Sequence, residues 1–273
     1  RLAPRINAAG RMGSADVALQ CLLADNPTTA RQQAKALTTL NQQRLAQQEE
    51  VMAEALLQIE NTQTGIAVAA KEWHPGVLGI VASKIADRYQ RPAFAFYYEQ
   101  GTHWRASGRA PVPYNLMEIL KAISDKNPEV INYYGGHRQA ASVVVHNECL
   151  PIFAKLLQEV CTQLAVDTST IITKIDAPTA KEISIAALKQ LEHVVWGNGF
   201  PSPLYRGRFY LLQQDPLRGG HLRLSLADTE SDKIFSAVHF GCTHIATDEI
   251  DILYSAEINN YDQQIQLIVD KIL

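Results

Sequence analysis

Cysteine is scarce in this sequence, and long apolar runs are absent. The 273 residues contain four cysteines, Cys21, Cys149, Cys161 and Cys242, and no two of them have the spacing of a zinc or redox motif. We therefore expect four reduced, mostly buried thiols in a cytoplasmic protein. No apolar run reaches the roughly 18 residues that a membrane-spanning helix needs, so no membrane partner is expected. The first residues, RLAPRINAAGRMG, have neither an initial Met nor an apolar signal core, which predicts a start inside a longer protein.

Familiar catalytic signatures are also missing. The sequence has no Cys/His cluster, no Walker motif, no G-x-S-x-G and no H-E-x-x-H. A two-metal phosphoesterase needs several aspartates and histidines to hold its ions. Between Arg1 and Val145 the acids lie mostly on predicted helices or in loops without ligand spacing. We therefore expect no metal site in this chain.

The charge is nearly balanced in total but uneven along the chain. The formal net charge is −3. Ser202–Ser225 carries four arginines against Asp215 alone, and Leu226–Asp262 carries eight acids against Lys233 alone. This pattern predicts a basic patch beside an acidic one. Two ordinary solvated surfaces remain the alternative.

The N-terminal quarter is predicted to be helical. Val17, Leu19, Leu22 and Leu23 predict one packed helix after a loop, AAGRMGS. From Thr29 to Glu60 there is neither glycine nor proline, and apolar residues recur at helical spacing. We expect a long amphipathic helix that joins two domains.

Two domain types follow along the chain. Strands alternate with helices from Gly65 to Val166, which predicts an α/β domain. After a short helix at Ile183–Leu191, five short strands with alternating polarity predict a small antiparallel barrel. The oligonucleotide-binding (OB) barrel is the commonest candidate for such a pattern.

Two stretches in the first third of the chain suggest anion binding. In PRINAAGRMG, Arg5 and Arg11 flank Asn7 and small residues that could hold an anion, although a structural loop is the alternative. In WHPGVLGIVASK, His74 lies in a turn that opens a helix, where free backbone N–H groups favour a phosphate. A histidine that caps the turn for structural reasons is at least as plausible.

Two further stretches combine glycine with a cationic side chain. In HWRASGRAP, Arg105 and Arg109 surround Ser107–Gly108, which predicts a compact phosphate clamp, with a solvated loop as the alternative. In YYGGHRQAASVVV, Gly135–Gly136 permits close approach of another group, and His137 could then donate to a phosphate or bind a metal. A core histidine is the alternative, and Val143–Val145 predicts a buried strand.

The stretches PRINAAGRMG, WHPGVLGIVASK, ASGRA and YYGGHRQAAS, in this order, resemble the RecJ single-strand-specific DNA exonucleases of the DHH phosphoesterase superfamily. The resemblance runs along essentially the whole chain. It implies an α/β DHH-associated domain joined to a long connecting helix, followed by an antiparallel OB-fold barrel. The implied boundaries are 1–25 for the tail of the catalytic DHH domain, 26–64 for the helix, 65–166 for the DHH-associated domain and 167–273 for the OB fold.

The resemblance also implies roles for individual residues. Ser107 and Arg109 would grip the 5′-terminal phosphate, and His137 would act in catalysis at the phosphate near the metals. Asn7 and Arg11 would lie at the seam between two domains. The other implied substrate-binding residues are His74, Arg105, Gly108, Gly135 and Gly136, and the implied DNA-guiding residues of the barrel are Arg206, Arg208 and Arg223.

The implied activity is a 5′→3′ exonuclease that releases mononucleotides from single-stranded DNA. Its Mn²⁺ or Mg²⁺ would be bound mainly by a DHH domain that nothing in this chain matches, so this chain alone is expected to be inactive. Single-strand-binding protein and a helicase are the implied partners. The sequence departs from the family pattern at Ala106 and Ser142, where glycine is usual.

Two other functions stay open from the sequence. Relatives that hydrolyse very short oligonucleotides or cyclic dinucleotides share the Gly-Gly-His signature, but the predicted barrel disfavours them. The alternative of another class is a non-catalytic single-stranded-DNA-binding protein that resembles RecJ.

Overall fold

The computed structural model describes residues 2–99, 101, 103–164, 182–197, 200–231 and 233–273. The chain divides into two compact units, Arg1–Ile171 and Ile172–Leu273. The predicted domain boundary at 166/167 lies outside the described residues. The helices described in the first unit are α1 (Ala3–Met12), α2 (Asp16–Leu22), α3 (Pro27–Leu57), α4 (Pro75–Tyr89), α5 (Leu116–Lys126) and α6 (Leu150–Leu164), and the second unit contains α7 (Ile185–Leu191).

The described strands also divide between the two units. Those of the first unit are β1 (Ile66–Ala69), β2 (Ala93–Glu99), β3 (His103–Arg109), β4 (Ile131–Gly136) and β5 (Ala140–His146). Those of the second unit are β6 (Tyr205–Leu217), β7 (His221–Asp228), β8 (Ile234–His239), β9 (Glu249–Ile258) and β10 (Ile265–Ile272).

Helix α3 is the long helix that the sequence predicts. Its 31 residues extend on the order of 45 Å at about 1.5 Å per residue. The Asn26 side chain caps its start by accepting the Thr29 N–H at 2.9 Å. Near the N-terminal end, Leu37 packs in one apolar cluster with residues of α1 and α2. Near the C-terminal end, Val51 and Ala55 pack in a second cluster with α4.

The prediction for the N-terminal segment is partly wrong. Most of the predicted loop AAGRMGS belongs to α1, because Ala8 and Ala9 are small enough to let this helix lie against its neighbours and are fully buried. The helix predicted after it is α2, but its leucines do not pack within the described residues: Leu19 is 53% exposed and Leu23 is 67% exposed.

The first unit is built on a five-stranded sheet with the order β1-β2-β3-β5-β4. Only the β1–β2 pair is parallel in this sheet, and the other pairs are antiparallel. Along β2, Phe94 and Phe96 pack with Phe153 on the side of α5 and α6, whereas Ala93 and Ala95 pack in the α4 cluster. The sheet therefore has α4 on one face and α5 and α6 on the other.

Strand β3 is absent from the sequence prediction, which gave HWRASGRAP as a phosphate clamp with a solvated loop as the alternative. Its glycine, serine and arginines have low strand propensity. Pairing with both β2 and β5 nevertheless makes it the central strand. Burial alternates along the second half of β3. Ala106 and Gly108 are buried, whereas Ser107 and Arg109 are only partly buried.

The second unit is a closed five-stranded barrel with the order β10-β8-β7-β6-β9. The predicted barrel is confirmed, with one difference: β8 and β10 pair in parallel. Irregularities in register at Leu211/Gln213 and Val269/Lys271 bend the strands as closure requires. Phe209 and Tyr254 are fully buried and pack edge to face in the interior.

All four cysteines are free, as expected, but the expectation that most are buried is wrong. Cys161 is buried, and burial raises the pKa of its thiol to about 12. Cys21, Cys149 and Cys242 are only half-buried. Within the described part of the chain, no helix is both long enough and apolar enough to span a membrane.

Candidate functional site

Three predicted residues, Arg105, Ser107 and Arg109, alternate along β3 and therefore lie on one face of the sheet. That face is the one on which α4 packs. The opposite face of β3 is closed by the core: a Cβ at Gly108 would lie 2.3 Å from the Phe94 ring. Gly108 is therefore required by core packing, which does not depend on a ligand.

Arg109 lies against the backbone of α4. A Cβ at Gly79 would lie 3.0 Å from Nη2 of Arg109 and 3.9 Å from Oγ of Ser107. Glycine at this position leaves room for the guanidinium on the helix. Arg109 Nη1 donates to the carbonyl of Gly108 at 2.8 Å, and the side chain is half-buried.

Arg11 reaches the same region from the last turn of α1. Its Nη1 lies 3.4 Å from the Gly76 carbonyl oxygen. The two backbones also approach closely, because a Cβ at Gly76 would lie 2.0 Å from the Arg11 carbonyl oxygen. This contact brings PRINAAGRMG and WHPGVLGIVASK together, which could not be predicted from the sequence.

The cluster formed by Arg11 and Arg109 has an excess of positive charge. Burial lowers the pKa of Arg109, and the nearby positive charge of Arg11 lowers it further. None of the ion pairs among the described residues includes Arg11 or Arg109. The start of α4 adds the positive end of a helix dipole. An anion placed here would relieve the repulsion between the two guanidinium groups.

His74 is the N-cap of α4. Its Nδ1 accepts the backbone N–H of Gly76 at 3.1 Å, which corresponds to the structural alternative left open by the sequence. A phosphate contact through Nε2 stays a prediction. The neighbouring Trp73 is buried, and its Nε1 donates to Glu54 at 2.7 Å.

The Gly-Gly-His stretch forms the hairpin between β4 and β5. Gly136 has φ +148°, and a Cβ there would lie 2.5 Å from both the Ala140 carbonyl oxygen and Ala141 Cα. The chain itself therefore occupies the space that this glycine opens. Across the sheet Ala140 pairs with Arg109, so the hairpin turn lies beside the end of β3. The His137 side chain is exposed on this turn.

The remaining predicted residues of the first unit lie differently. Asn7 is exposed one helical turn before Arg11, on the same side of α1. Arg105 Nη1 lies 3.2 Å from Oε1 of Glu99. Because its charge is already paired, Arg105 does not complete the predicted clamp in this structure. It also lies about 13 Å from Arg109 along the strand, at roughly 3.3 Å per residue.

The barrel places acids opposite the predicted DNA-guiding arginines. Arg206 makes two hydrogen bonds to Asp251, at 3.0 and 2.6 Å, and Arg208 lies 3.7 Å from the same carboxylate. Arg223 pairs in register with Asp215 on the adjacent strand. The predicted separation into a basic and an acidic patch is therefore wrong here, because β9 brings Asp251 beside β6.

One polar feature was missed by the sequence reasoning. On successive turns of α3, three buried side-chain atoms have no hydrogen-bond partner among the described residues: Asn41 Oδ1, Arg44 Nε and Gln47 Oε1. They lie between the part of α3 that packs on α1 and the part that packs with α4. The only signal in the sequence is the polar interruption of the apolar stripe of α3, a pattern that is more typical of a solvated helix face.

Comparison with known proteins finds two matching domain families and several similar proteins. The DHHA1 domain family matches residues 61–163, and the RecJ OB domain family matches residues 175–271. The single-stranded-DNA-specific exonuclease RecJ of Salmonella typhimurium is 30% identical over 99% of this chain and 50% of its own length. The chain is similar to the RecJ exonucleases along nearly its whole length. It spans about half the length of the curated relatives that it matches.

Solved RecJ structures agree with the fold. Two crystal structures of RecJ from Thermus thermophilus match all of this chain. The match covers 40% of the RecJ chain in the Mn²⁺ complex and 42% of it in the Mg²⁺ complex. The TM-scores are 0.72 and 0.71 at 24% identity. The predicted fold class, an α/β DHH-associated domain followed by an OB barrel, is confirmed.

The residues that the structure describes do not form a binding site for a metal ion such as the Mg²⁺ or Mn²⁺ of the RecJ complexes. Within the described ranges, no group of three or more His, Cys, Asp or Glu side chains is arranged to hold one. The arginine cluster beside α4 has the opposite chemistry, since it would repel a cation and attract an anion.

Proposed function

We propose that this chain is the DNA-holding half of a RecJ-type exonuclease that degrades single-stranded DNA from the 5′ end. In the parent protein it would release mononucleotides during DNA repair and recombination. The observation that carries the proposal is the guanidinium pair of Arg11 and Arg109, which has no carboxylate partner among the described residues.

A terminal phosphate suits this pair better than other anions. Its two charges at neutral pH match two guanidinium groups, and an arginine fork can bind phosphate oxygens through two parallel hydrogen bonds. Ser107 Oγ lies beside Arg109 and can donate a further hydrogen bond. Asn7 and the exposed His137 flank the pair on α1 and on the hairpin turn.

The catalytic role of His137 belongs to the same proposal. It is supported by the register that brings the β4–β5 turn beside Arg109. We assign the Mn²⁺ or Mg²⁺ of the reaction to residues other than those described here. Hydrolysis would therefore require more of the RecJ sequence than this chain matches, and this chain alone would bind DNA without cutting it.

The barrel would guide the strand further from its end. Arg223 supports this role because it is exposed and takes part in no ion pair among the described residues. Arg206 and Arg208 would have to exchange Asp251 for a DNA phosphate. We also propose a cytoplasmic location, with single-strand-binding protein and a helicase as partners.

The test compares single-stranded oligonucleotides that differ only at the 5′ end. We expect the chain to bind the 5′-phosphate form more tightly than the 5′-hydroxyl form, as measured by fluorescence anisotropy. Arg109→Gln should weaken binding of the phosphate form by about tenfold to a hundredfold, because a charged hydrogen bond contributes roughly 1.5–3 kcal/mol. It should also remove the preference between the two ends.

Arg88→Gln is the matched control. Arg88 is exposed in the last turn of α4, away from Gly79, and its loss removes the same charge from the same unit. If the control weakens binding as much as Arg109→Gln does, binding reflects overall charge and the proposed phosphate site is wrong. Equal affinity of the wild type for both ends would contradict it as well.

A further inference from the structure

The ring of Tyr133 is largely exposed on β4, an edge strand of the sheet. Tyr133 pairs with Val144 across the β4–β5 ladder, yet its side chain is 66% exposed. Its neighbour Tyr134 faces the other way and packs against the core on the α5 and α6 side. Tyr133 therefore lies on the face of the sheet that carries Ser107 and Arg109.

Gly135 leaves room for this ring. A Cβ at Gly135 would lie 3.1 Å from Oη of Tyr133, 3.6 Å from Cζ and 3.8 Å from Cε1. Unlike Gly136, Gly135 does not have a positive φ, so its backbone conformation is open to any residue. A Cβ at 135 would crowd the tyrosine hydroxyl, so glycine here leaves room for the ring, which extends along the strand over the bare backbone.

The position of the ring follows from the register of three strands. Gly135 pairs with Ser142, and Ser142 pairs with Ser107. Two strand spacings, about 10 Å in total, therefore separate the backbone beneath the ring from Ser107. The turn that carries His137 follows Gly136 directly. The exposed ring thus stands two strands away from the proposed phosphate site, on the same face of the sheet.

We propose that Tyr133 is a stacking platform for an unpaired base near the 5′ end of the bound strand. The inference rests on the proposed function, because the phosphate held at Ser107 and Arg109 sets where the strand begins. Every base offers a π face, so such a platform is tolerant of sequence. A base inside a duplex is already stacked on both sides and paired, so the platform selects unpaired ends.

A purely structural role for Tyr133 makes a different prediction. Val144, its cross-strand partner, is only 8% exposed, and the tyrosine side chain could serve simply to cover it. Leucine at 133 would keep apolar cover over Val144 but would remove the flat ring. Phenylalanine would keep both. The two variants therefore separate packing from stacking.

The experiment uses the full chain and 5′-phosphorylated single-stranded oligonucleotides, with one abasic residue placed at each of the first few positions in turn. We expect Tyr133→Leu to weaken binding of the intact oligonucleotide by about tenfold and Tyr133→Phe to leave it unchanged. One abasic position should weaken wild-type binding by a similar factor. In Tyr133→Leu, the same abasic position should not weaken binding any further.

The outcomes separate this inference from the proposed function. If Tyr133→Leu binds as tightly as the wild type, or if the abasic positions are all equivalent, the platform is wrong while the dependence on Arg109 and the 5′-phosphate can still hold. If the wild type does not distinguish 5′-phosphate from 5′-hydroxyl ends, both proposals fall. Should Tyr133→Leu unfold, the abasic series on the wild type and on Tyr133→Phe still decides.

Discussion

Glycine residues in the candidate site differ in what occupies the space that they leave. Beside Gly76 lies the carbonyl of Arg11, and beside Gly136 lies the backbone of β5. Beside Gly79 lies the guanidinium of Arg109. From the sequence, Gly136 suggested the approach of a ligand. In the structure, only Gly79 borders the proposed phosphate site through a side chain that would bind it.

Gly76→Ala should destabilise the first unit and weaken phosphate binding together. The new methyl group would lie 2.0 Å from the Arg11 carbonyl oxygen, so α1 and α4 must move apart. Overpacking of this kind costs about 1–3 kcal/mol. Urea denaturation measures the loss of stability, and anisotropy with the 5′-phosphorylated oligonucleotide measures the loss of affinity.

Gly13→Ala is the control for that prediction, because a Cβ at Gly13 would meet nothing within 4 Å. It should change neither quantity. Unaltered stability and affinity in Gly76→Ala would show that α1 and α4 do not depend on this contact.

At the scale of elements, pairing between strands decides which charges are free. Strand β3 carries Arg105 and Arg109 on one face, but only Arg105 meets an acid, at Glu99 on β2. In the barrel, β9 lies beside β6 and places Asp251 next to Arg206 and Arg208. Segments that differ in charge along the chain are therefore neighbours in the barrel wall.

The Asp251–Arg206 pair predicts a pH dependence of barrel stability. Hydrogen bonds from Arg206 lower the pKa of Asp251, and the charges of both arginines lower it further. A carboxyl group whose folded pKa is depressed stabilises the fold above its unfolded value, near about 3.9, and this stabilisation is lost as the pH falls through the folded value. Wild-type stability should therefore decline below about pH 4 more steeply than that of Asp251→Asn.

Urea unfolding at a series of acidic pH values measures this difference. Glu249→Gln is the control, since Glu249 is exposed on the same strand and has no ion pair within the described part of the chain. Identical pH profiles for the wild type and Asp251→Asn would rule out a stabilising role for the pair.

At the scale of the whole molecule, the described residues combine cationic side chains suited to a phosphate with no cluster suited to a metal ion. Its described residues bring together two arginines and a serine, but no cluster of carboxylates and imidazoles. Leu19 and Leu22 on α2 are exposed, and the chain spans about half the length of the RecJ proteins that it matches.

Mn²⁺ should leave the thermal stability of the DNA-free chain unchanged. If the chain had a metal site, Mn²⁺ at a hundred times its Kd would add about 2.7 kcal/mol to the free energy of unfolding. A melting curve detects such a change easily. The comparison is between Mn²⁺ and a chelator at constant ionic strength. A rise of several degrees in Mn²⁺ would reveal a metal site that the described residues do not show.

The sequence by itself determined the elements with strong periodicity or clear ends. Helix α3 begins and ends within a few residues of the prediction, because capping residues, glycines and apolar spacing act locally. The valine strand and the five strands of the barrel were predicted for the same reason. The four motifs and their order also indicated the RecJ family before any contact was known.

Only the tertiary structure decided which side chains meet. Strand β3 exists because two neighbouring strands pair with it, although its own residues favour a loop. Arg11 joins Arg109 because α1 packs against the start of α4, across a gap of about a hundred residues in sequence. Local propensity carries no information on such contacts, since they depend on how separate elements bury their apolar faces against one another.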